Sequence, residues 1–145
     1  MSGSNQTQRN TLETFIQGWR GWTPEGMMAT FSDDCTQSAL PFTMHQPQRN
    51  MQDIKAALPK LIRVVDNYEL KIHNIVHDTT NGKAAIYAIS KGDTPFGDWN
   101  MEYAVFVEFN EDGDKIVKLE EMLDSGFMRE FAPKFGSFLM ENPDW

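Results

Sequence analysis

Apolar residues recur along this chain with two periods, and the change near residue 66 separates a mostly helical first half from a strand-rich second half. Leu12, Phe15, Ile16 and Trp19 fall at helical spacing and form one stripe, on a helix that ends near Gly18 to Gly21. Thr23-Pro24-Glu25 starts another: Thr caps, Pro fits the first helical position, and Glu faces the positive end of the dipole. Met27, Met28 and Phe31 supply its apolar face before Ser32-Asp33-Asp34 ends it. Residues 35–41 read as a short strand and 47–50 as a loop. A third helix takes Asn50 as cap and Asp53 in its first turn. It buries Ile54, Leu58, Leu61, Ile62 and Val65, with a kink or break at Pro59.

Beyond Asp66-Asn67 the period becomes two. Residues 68–77 and 83–91 are β-rich runs joined through Asn81-Gly82, a strong hairpin signal. A loop is expected over 92–98. Residues 101–109 and 116–123 then form a second hairpin across Glu111-Asp112-Gly113-Asp114, and Asp124-Ser125 caps a last helix bearing Phe127, Phe131, Phe135, Phe138 and Leu139, disturbed by Pro133. This order predicts a single α+β domain over residues 1–145. A curved antiparallel sheet, wrapped by helices on one face, makes a cone with an apolar interior and an open end.

Facing singles out two polar residues. Period two from residue 116 puts Lys118 and Glu120 on one side and Val117, Leu119, Glu121 and Leu123 on the other. On the preceding strand Met101, Tyr103, Val105, Val107 and Phe109 share a face, with Glu102, Ala104, Phe106 and Glu108 behind them. Glu121 and Tyr103 therefore point into apolar company from adjacent strands. A carboxylate there must be paired, hydrogen-bonded or protonated, and a raised pKa suits a general acid or base at neutral pH. Two roles fit the pair: acid–base chemistry in a pocket, or a polar pair satisfying itself in the core.

Composition narrows the partners. A chain of 145 residues suits one core, burying roughly 70 % of the surface its unfolded form exposes. The net charge of −8, with no cluster of Lys or Arg, argues against nucleic acid and anionic membranes. Cys35 is the only cysteine, the first ten residues carry no apolar segment, and no stretch approaches a membrane span; a cytoplasmic chain is expected. The three histidines, His45, His73 and His77, form no metal-ligand spacing with Cys35 or one another. No Gly-rich phosphate loop occurs, so neither metal nor nucleotide cofactor is expected. His73 and His77 share the more polar face of their strand with Glu69, Lys71 and Ile75, while His45 sits in a loop within reach of the cone mouth. Nine Met, ten Phe and four Trp suit an adaptable apolar lining, to which Phe31 is assigned. Trp99 follows a Gly-containing loop, where a flat apolar ligand would stack on it. The strand over 83–91 is apolar on both faces and Phe106 points outward, which predicts a homodimer formed through the sheets.

The order of elements resembles the nuclear-transport-factor-2-like (NTF2-like) cone fold, in particular the SnoaL-like polyketide-cyclase group. The segment Ser90-Lys91-Gly92-Asp93-Thr94-Pro95-Phe96-Gly97-Asp98-Trp99-Asn100-Met101-Glu102-Tyr103, with Glu111-Asp112-Gly113 and Glu120-Glu121-Met122-Leu123-Asp124-Ser125, resembles small fungal enzymes that rearrange meroterpenoid and indole-alkaloid skeletons. The resemblance implies that Tyr103 and Glu121 line the pocket. That family often has Tyr where this chain has Trp99, Asn where it has Met101, and His where it has Gln37, so the family's particular rearrangement does not carry over. Such cones host isomerases, cyclases, dehydratases and plain binding domains.

These observations together predict a cofactor-independent isomerase or cyclase, or a dehydratase, acting on a hydrophobic secondary-metabolite intermediate. Glu121 moves the proton, Tyr103 bonds the oxygen where charge develops, and Gln37 and Trp99 position the skeleton, with His45 and Phe31 beside them. The competing expectation is a binding or dimeric interaction module of the same fold.

Overall fold

Three helices begin where capping side chains were expected. The structure, a computed structural model, describes residues 2–145, and its order is α1 (Ser2–Gly21), α2 (Pro24–Met28), β1 (Phe31–Leu40), a 3-10 turn (Phe42–Met44), α3 (Met51–Val64), β2 (Asp66–Asp78), β3 (Lys83–Thr94), β4 (Gly97–Phe109), β5 (Ile116–Leu123) and α4 (Ser125–Glu141). Thr23 Oγ1 accepts from the Gly26 N–H at the start of α2. Asn50 and Asp53 form a reciprocal capping box on α3, and Asp124 Oδ1 accepts from Phe127 N–H on α4. Pro59 does not break α3, which runs unbroken past it.

The five strands form one sheet in the order β1-β5-β4-β3-β2, with β1 parallel to β5 and every other pair antiparallel. Its concave face buries Ile86, Ala88, Met101, Val105, Val107 and Leu119 against Leu12, Phe15, Ile16 and Trp19 of α1. This is the α+β cone that the alternation of periods predicts. α1 and α2 meet at bare backbone: a Cβ added to Gly18 would fall 2.0 Å from the Gly26 carbonyl oxygen, so only glycine permits the approach.

Four local expectations are corrected. Phe31 opens β1 instead of closing α2, because the polar run Ser32-Asp33-Asp34 bulges from the β1–β5 ladder and is not a helix stop. The expected loop over 92–98 is a tight hairpin: the ladder continues to Thr94 opposite Gly97, and Thr94 Oγ1 donates to Gly97 O and accepts from Phe96 N–H. On β2 the register shifts between Ile72 and Asn74 and reverses the faces. Ile75 and His77 pair with the inward Ile86 and Ala84, and His77 packs on Phe109 and bonds Gln8, while His73 stays outside against Tyr87. On β5 a shift beside Glu108 gives the inner position to Ile116, which is fully buried, and makes Val117 the extra residue. Among the described residues no helix is long and apolar enough to cross a membrane.

Candidate active site

The β4–β5 ladder sets the relation between the two singled-out residues. Val105 lies opposite Glu121 and Tyr103 opposite Leu123, so Tyr103 and Glu121 are diagonal neighbours on the concave face. Parallel β1 adds a third side chain. Ala39 pairs with Glu121 and Gln37 with Leu119, which lets Gln37 Nε2 donate to Glu121 Oε1 at 2.9 Å. Gln37 is held in turn by a backbone bridge to Arg49, at 2.9 and 2.8 Å.

Glu121 is half-buried as a residue, with its carboxyl enclosed. Burial raises its carboxyl above the ordinary carboxylate value, and the Gln37 N–H and the Arg49 cation draw it partly back. The group thus retains proton affinity closer to neutral pH, as a general base or acid requires.

Tyr103 ends in a different set of partners. Its hydroxyl lies 2.9 Å from the Tyr68 hydroxyl and is hydrogen-bonded to Ser90 Oγ. Trp19 Nε1 donates to the Tyr68 oxygen at 2.8 Å, and Trp99 Nε1 donates to Ser90 Oγ at 2.9 Å. Burial holds the Tyr103 phenol well above its ordinary pKa and raises that of Tyr68; the negative charge of Glu121 adds to both. Both tyrosines therefore stay protonated at neutral pH. No hydrogen bond joins this hydroxyl chain to Glu121, although the groups sense each other's charge.

Sequence reasoning missed Tyr68, Ser90 and Trp19. Each carried a signal: Tyr68 shares parity with Leu70 and Ile72, Ser90 lies in phase with Ala84, Ile86 and Ala88, and a stripe Trp such as Trp19 needs a partner for its indole N–H. Trp22, just past α1, fixes Tyr68 from behind. Its ring stacks on Tyr68 at 3.6 Å, and its N–H reaches the carbonyls of Ile62 and Val65.

Other expected residues fall at varying distances from this centre. Trp99 lies in the closed interior, 3 % exposed, with Phe127 and Phe131 of α4 edge-on at 5.2 and 5.1 Å. α4 thus covers the open end of the cone with aromatic rings. Phe31 packs on Phe15 at the opposite end of β1, about 20 Å of strand from Gln37. His45 is exposed, in a left-handed conformation after the 3-10 turn, and makes no side-chain bond to Gln37 or Glu121. Cys35 is buried, its thiol pushed up to about 12 chiefly by burial, and is inert as a nucleophile. Among the described residues no group of three or more His, Cys, Asp or Glu is placed to hold a metal. A recess of about 340 Å³ lies on the other side of the sheet, beside Val76, Ala85, Phe106 and Glu120.

Known proteins resemble this chain in sequence or in fold. A protein of Cryptosporiopsis sp. named monooxygenase dmxR10 is 51 % identical over 143 residues, 97 % of this chain and 95 % of its own length. Monooxygenase nsrQ of Aspergillus novofumigatus is 48 % identical over 142 residues, covering 98 % and 94 %. Among solved structures, the BvnE pinacolase of Penicillium brevicompactum superposes with a TM-score of 0.84 at 18 % identity, over 94 % of this chain and 96 % of that one. An NTF2-like protein of Burkholderia pseudomallei superposes at 0.67 with 10 % identity, over 85 % and 95 %. At such identities the structural likeness concerns the fold. No model of a protein family matches the chain.

Proposed function

The chain belongs to the fungal family whose members carry the name monooxygenase, on an NTF2-like fold, and we propose that it is a general acid–base enzyme of secondary metabolism that isomerises or cyclises a hydrophobic, enolisable small molecule. One observation carries this reading. A buried carboxylate of raised proton affinity, oriented by Gln37, lies diagonal to a set of protonated hydroxyls with which it shares no hydrogen bond. A substrate seated between them presents an acidic C–H or O–H to Glu121 and its oxygen to the tyrosines. Glu121 takes the proton, the hydroxyls steady the charge left on oxygen, and return of the proton at another atom, or attack on a second carbonyl, gives an isomer or a ring. Mass is unchanged either way. With α4 packed on Trp99 the described state is a closed one, and substrate enters by displacement of the Phe127 and Phe131 rings.

The relatives' name favours a second reading that begins with the same step. The enolate carbon forms a bond to dioxygen, and the peroxide takes up the proton held by Glu121. The hydroperoxide, with a second hydrogen on that carbon, loses water to leave a carbonyl. Oxidation of the CH2 carbon to a carbonyl supplies all four electrons that reduce dioxygen to the carbonyl oxygen and water. One experiment separates the readings. A strain lacking the gene accumulates the substrate, and purified protein is given that intermediate under oxygen-18 gas. A product of unchanged mass supports isomerisation or cyclisation, and label in the product supports oxygenation. Binding without conversion assigns the chain to the binding-module alternative.

A further inference from the structure

We propose that Arg49 determines substrate choice at this site by holding a carboxylate carried by the same molecule that Glu121 deprotonates. This deepens the acid–base reading, on which it rests, by naming an organic acid as the substrate class.

The placement comes from the edge of the sheet. Gln37 N–H donates to Arg49 O at 2.9 Å and Arg49 N–H to Gln37 O at 2.8 Å, the double exchange of a directly opposed antiparallel pair. Side chains of such a pair leave on the same face. Gln37 reaches Glu121 on the concave face, so Arg49 stands on that face as well, one strand spacing of about 4.8 Å further out. Its charge is accordingly felt at the Glu121 carboxyl. Arg49 is exposed whereas that carboxyl is enclosed, so an incoming acid meets the cation first.

Two observations indicate that the cation is kept for a ligand. Among the described residues its guanidinium has neither a hydrogen-bond partner nor an ion pair, in a chain with 21 Asp and Glu against 13 Lys and Arg. It is also separated from Glu121 by a neutral group, since the Gln37 amide takes Glu121 Oε1 at 2.9 Å. A direct pair would hold Glu121 ionised and occupy the guanidinium. With the amide between them Glu121 can still take a proton, and the five N–H donors of Arg49 stay open.

Chemistry selects the group. A guanidinium fork matches the two oxygens of a carboxylate, and one cation balances its single charge, whereas a phosphate would bring a second charge toward Glu121. Arg49 and Glu121 sit two strand spacings apart across the sheet, so acid and enolisable carbon belong to one molecule on the order of 10 Å across.

The test compares 2-naphthoate with 2-naphthamide, its neutral counterpart of the same shape, by equilibrium binding to the full chain. Wild type should prefer the acid. Arg49→Gln should weaken 2-naphthoate about tenfold or more and leave 2-naphthamide within about twofold, the scale of a bond between charged groups, and Arg49→Lys should recover part of the loss. Glu121→Gln should tighten 2-naphthoate by about twofold or more, because it removes a like charge nearby, and leave 2-naphthamide alone. Lys118→Gln removes a cation beside the recess on the other face of the sheet and should change neither. Should Arg49→Gln fail to fold, the other variants still decide. No binding of the acid to folded wild type, equal loss of both ligands or undiminished acid binding in Arg49→Gln, no response to Glu121→Gln, or the same loss in Lys118→Gln would each overturn the proposal. Turnover of the accumulated intermediate by Glu121→Gln tests the base separately, so failure of the anion site and failure of the base are distinguishable.

Discussion

Replacing Glu121 with Gln should lower activity and raise stability at once, and the opposite signs make it the most informative single change. Gln fills the same volume, and its amide oxygen can still accept from Gln37 Nε2, which now bonds Oε1 at 2.9 Å. Only the titrating charge is lost. A general base or acid contributes about 10²- to 10⁴-fold, so turnover of the intermediate accumulated by a deletion strain should fall by that factor, about 3 to 5 kcal/mol of barrier. Stability should move the other way, because burial is the largest influence on this carboxyl and disfavours its charged form. The sign over pH follows from linkage. A carboxyl whose folded pKa is raised leaves the folded state holding more protons than the unfolded one, so wild-type stability falls as pH rises from the ordinary value of 4.5 through the raised one, then levels. The variant lacks that fall. Urea denaturation of both proteins between about pH 4 and pH 8 should therefore show curves that separate upward through this window, with the variant the more stable at neutral pH. Full turnover by the variant, or a variant less stable than wild type at neutral pH, would refute a strained, functional carboxylate.

Tyr103→Phe deletes one hydroxyl and keeps the ring that meets Trp19 edge-on; the rate on the same intermediate should fall by about 10²-fold with KM little changed, and a loss confined to KM would count against transition-state stabilisation. Gly18→Ala drives a Cβ into the Gly26 carbonyl and should cost about 3 kcal/mol by chemical denaturation, whereas a neutral result would mean that α1 and α2 separate easily. For the outer sheet face we expect a homodimer. Phe106 is 44 % exposed there with Tyr87 and Met122 nearby on the sheet, so Phe106→Asp should give a monomer by light scattering at tens of micromolar, and a wild type already monomeric would remove the case.

What the sequence discloses here depends on whether a signal is local. The Asn50–Asp53 box, the Asn81-Gly82 turn and the inward parity of Tyr103 and Glu121 are properties of a few neighbouring residues, and the structure reproduces each. Bulges are not. The shift at His73 reverses the faces of Ile75 and His77 without any glycine or proline to announce it, and the shift at Val117 exchanges it with Ile116. Phe31 was misplaced for the same reason, since three polar residues that bulge from a ladder look like the end of a helix. The hydroxyl row escaped notice because its members come from three strands and a helix. Tyr68, Ser90 and Trp19 each look like ordinary core until the sheet order places them together.

The parallel pairing of β1 with β5 has a consequence for how the chain is made. β1 has no other strand beside it in the sheet, and the bond from Gln37 to Glu121 closes a span of 84 residues. On a ribosome adding roughly 5 to 20 residues per second, β1 waits on the order of ten seconds for its partner strand. Through that interval the β2–β3 and β3–β4 hairpins can form, whereas Phe31 and Cys35 remain without the sheet that buries them. The carboxylate site is thereby assembled only after every other strand has been made, and a chain interrupted before residue 116 emerges as hairpins with an orphaned edge and no chemistry.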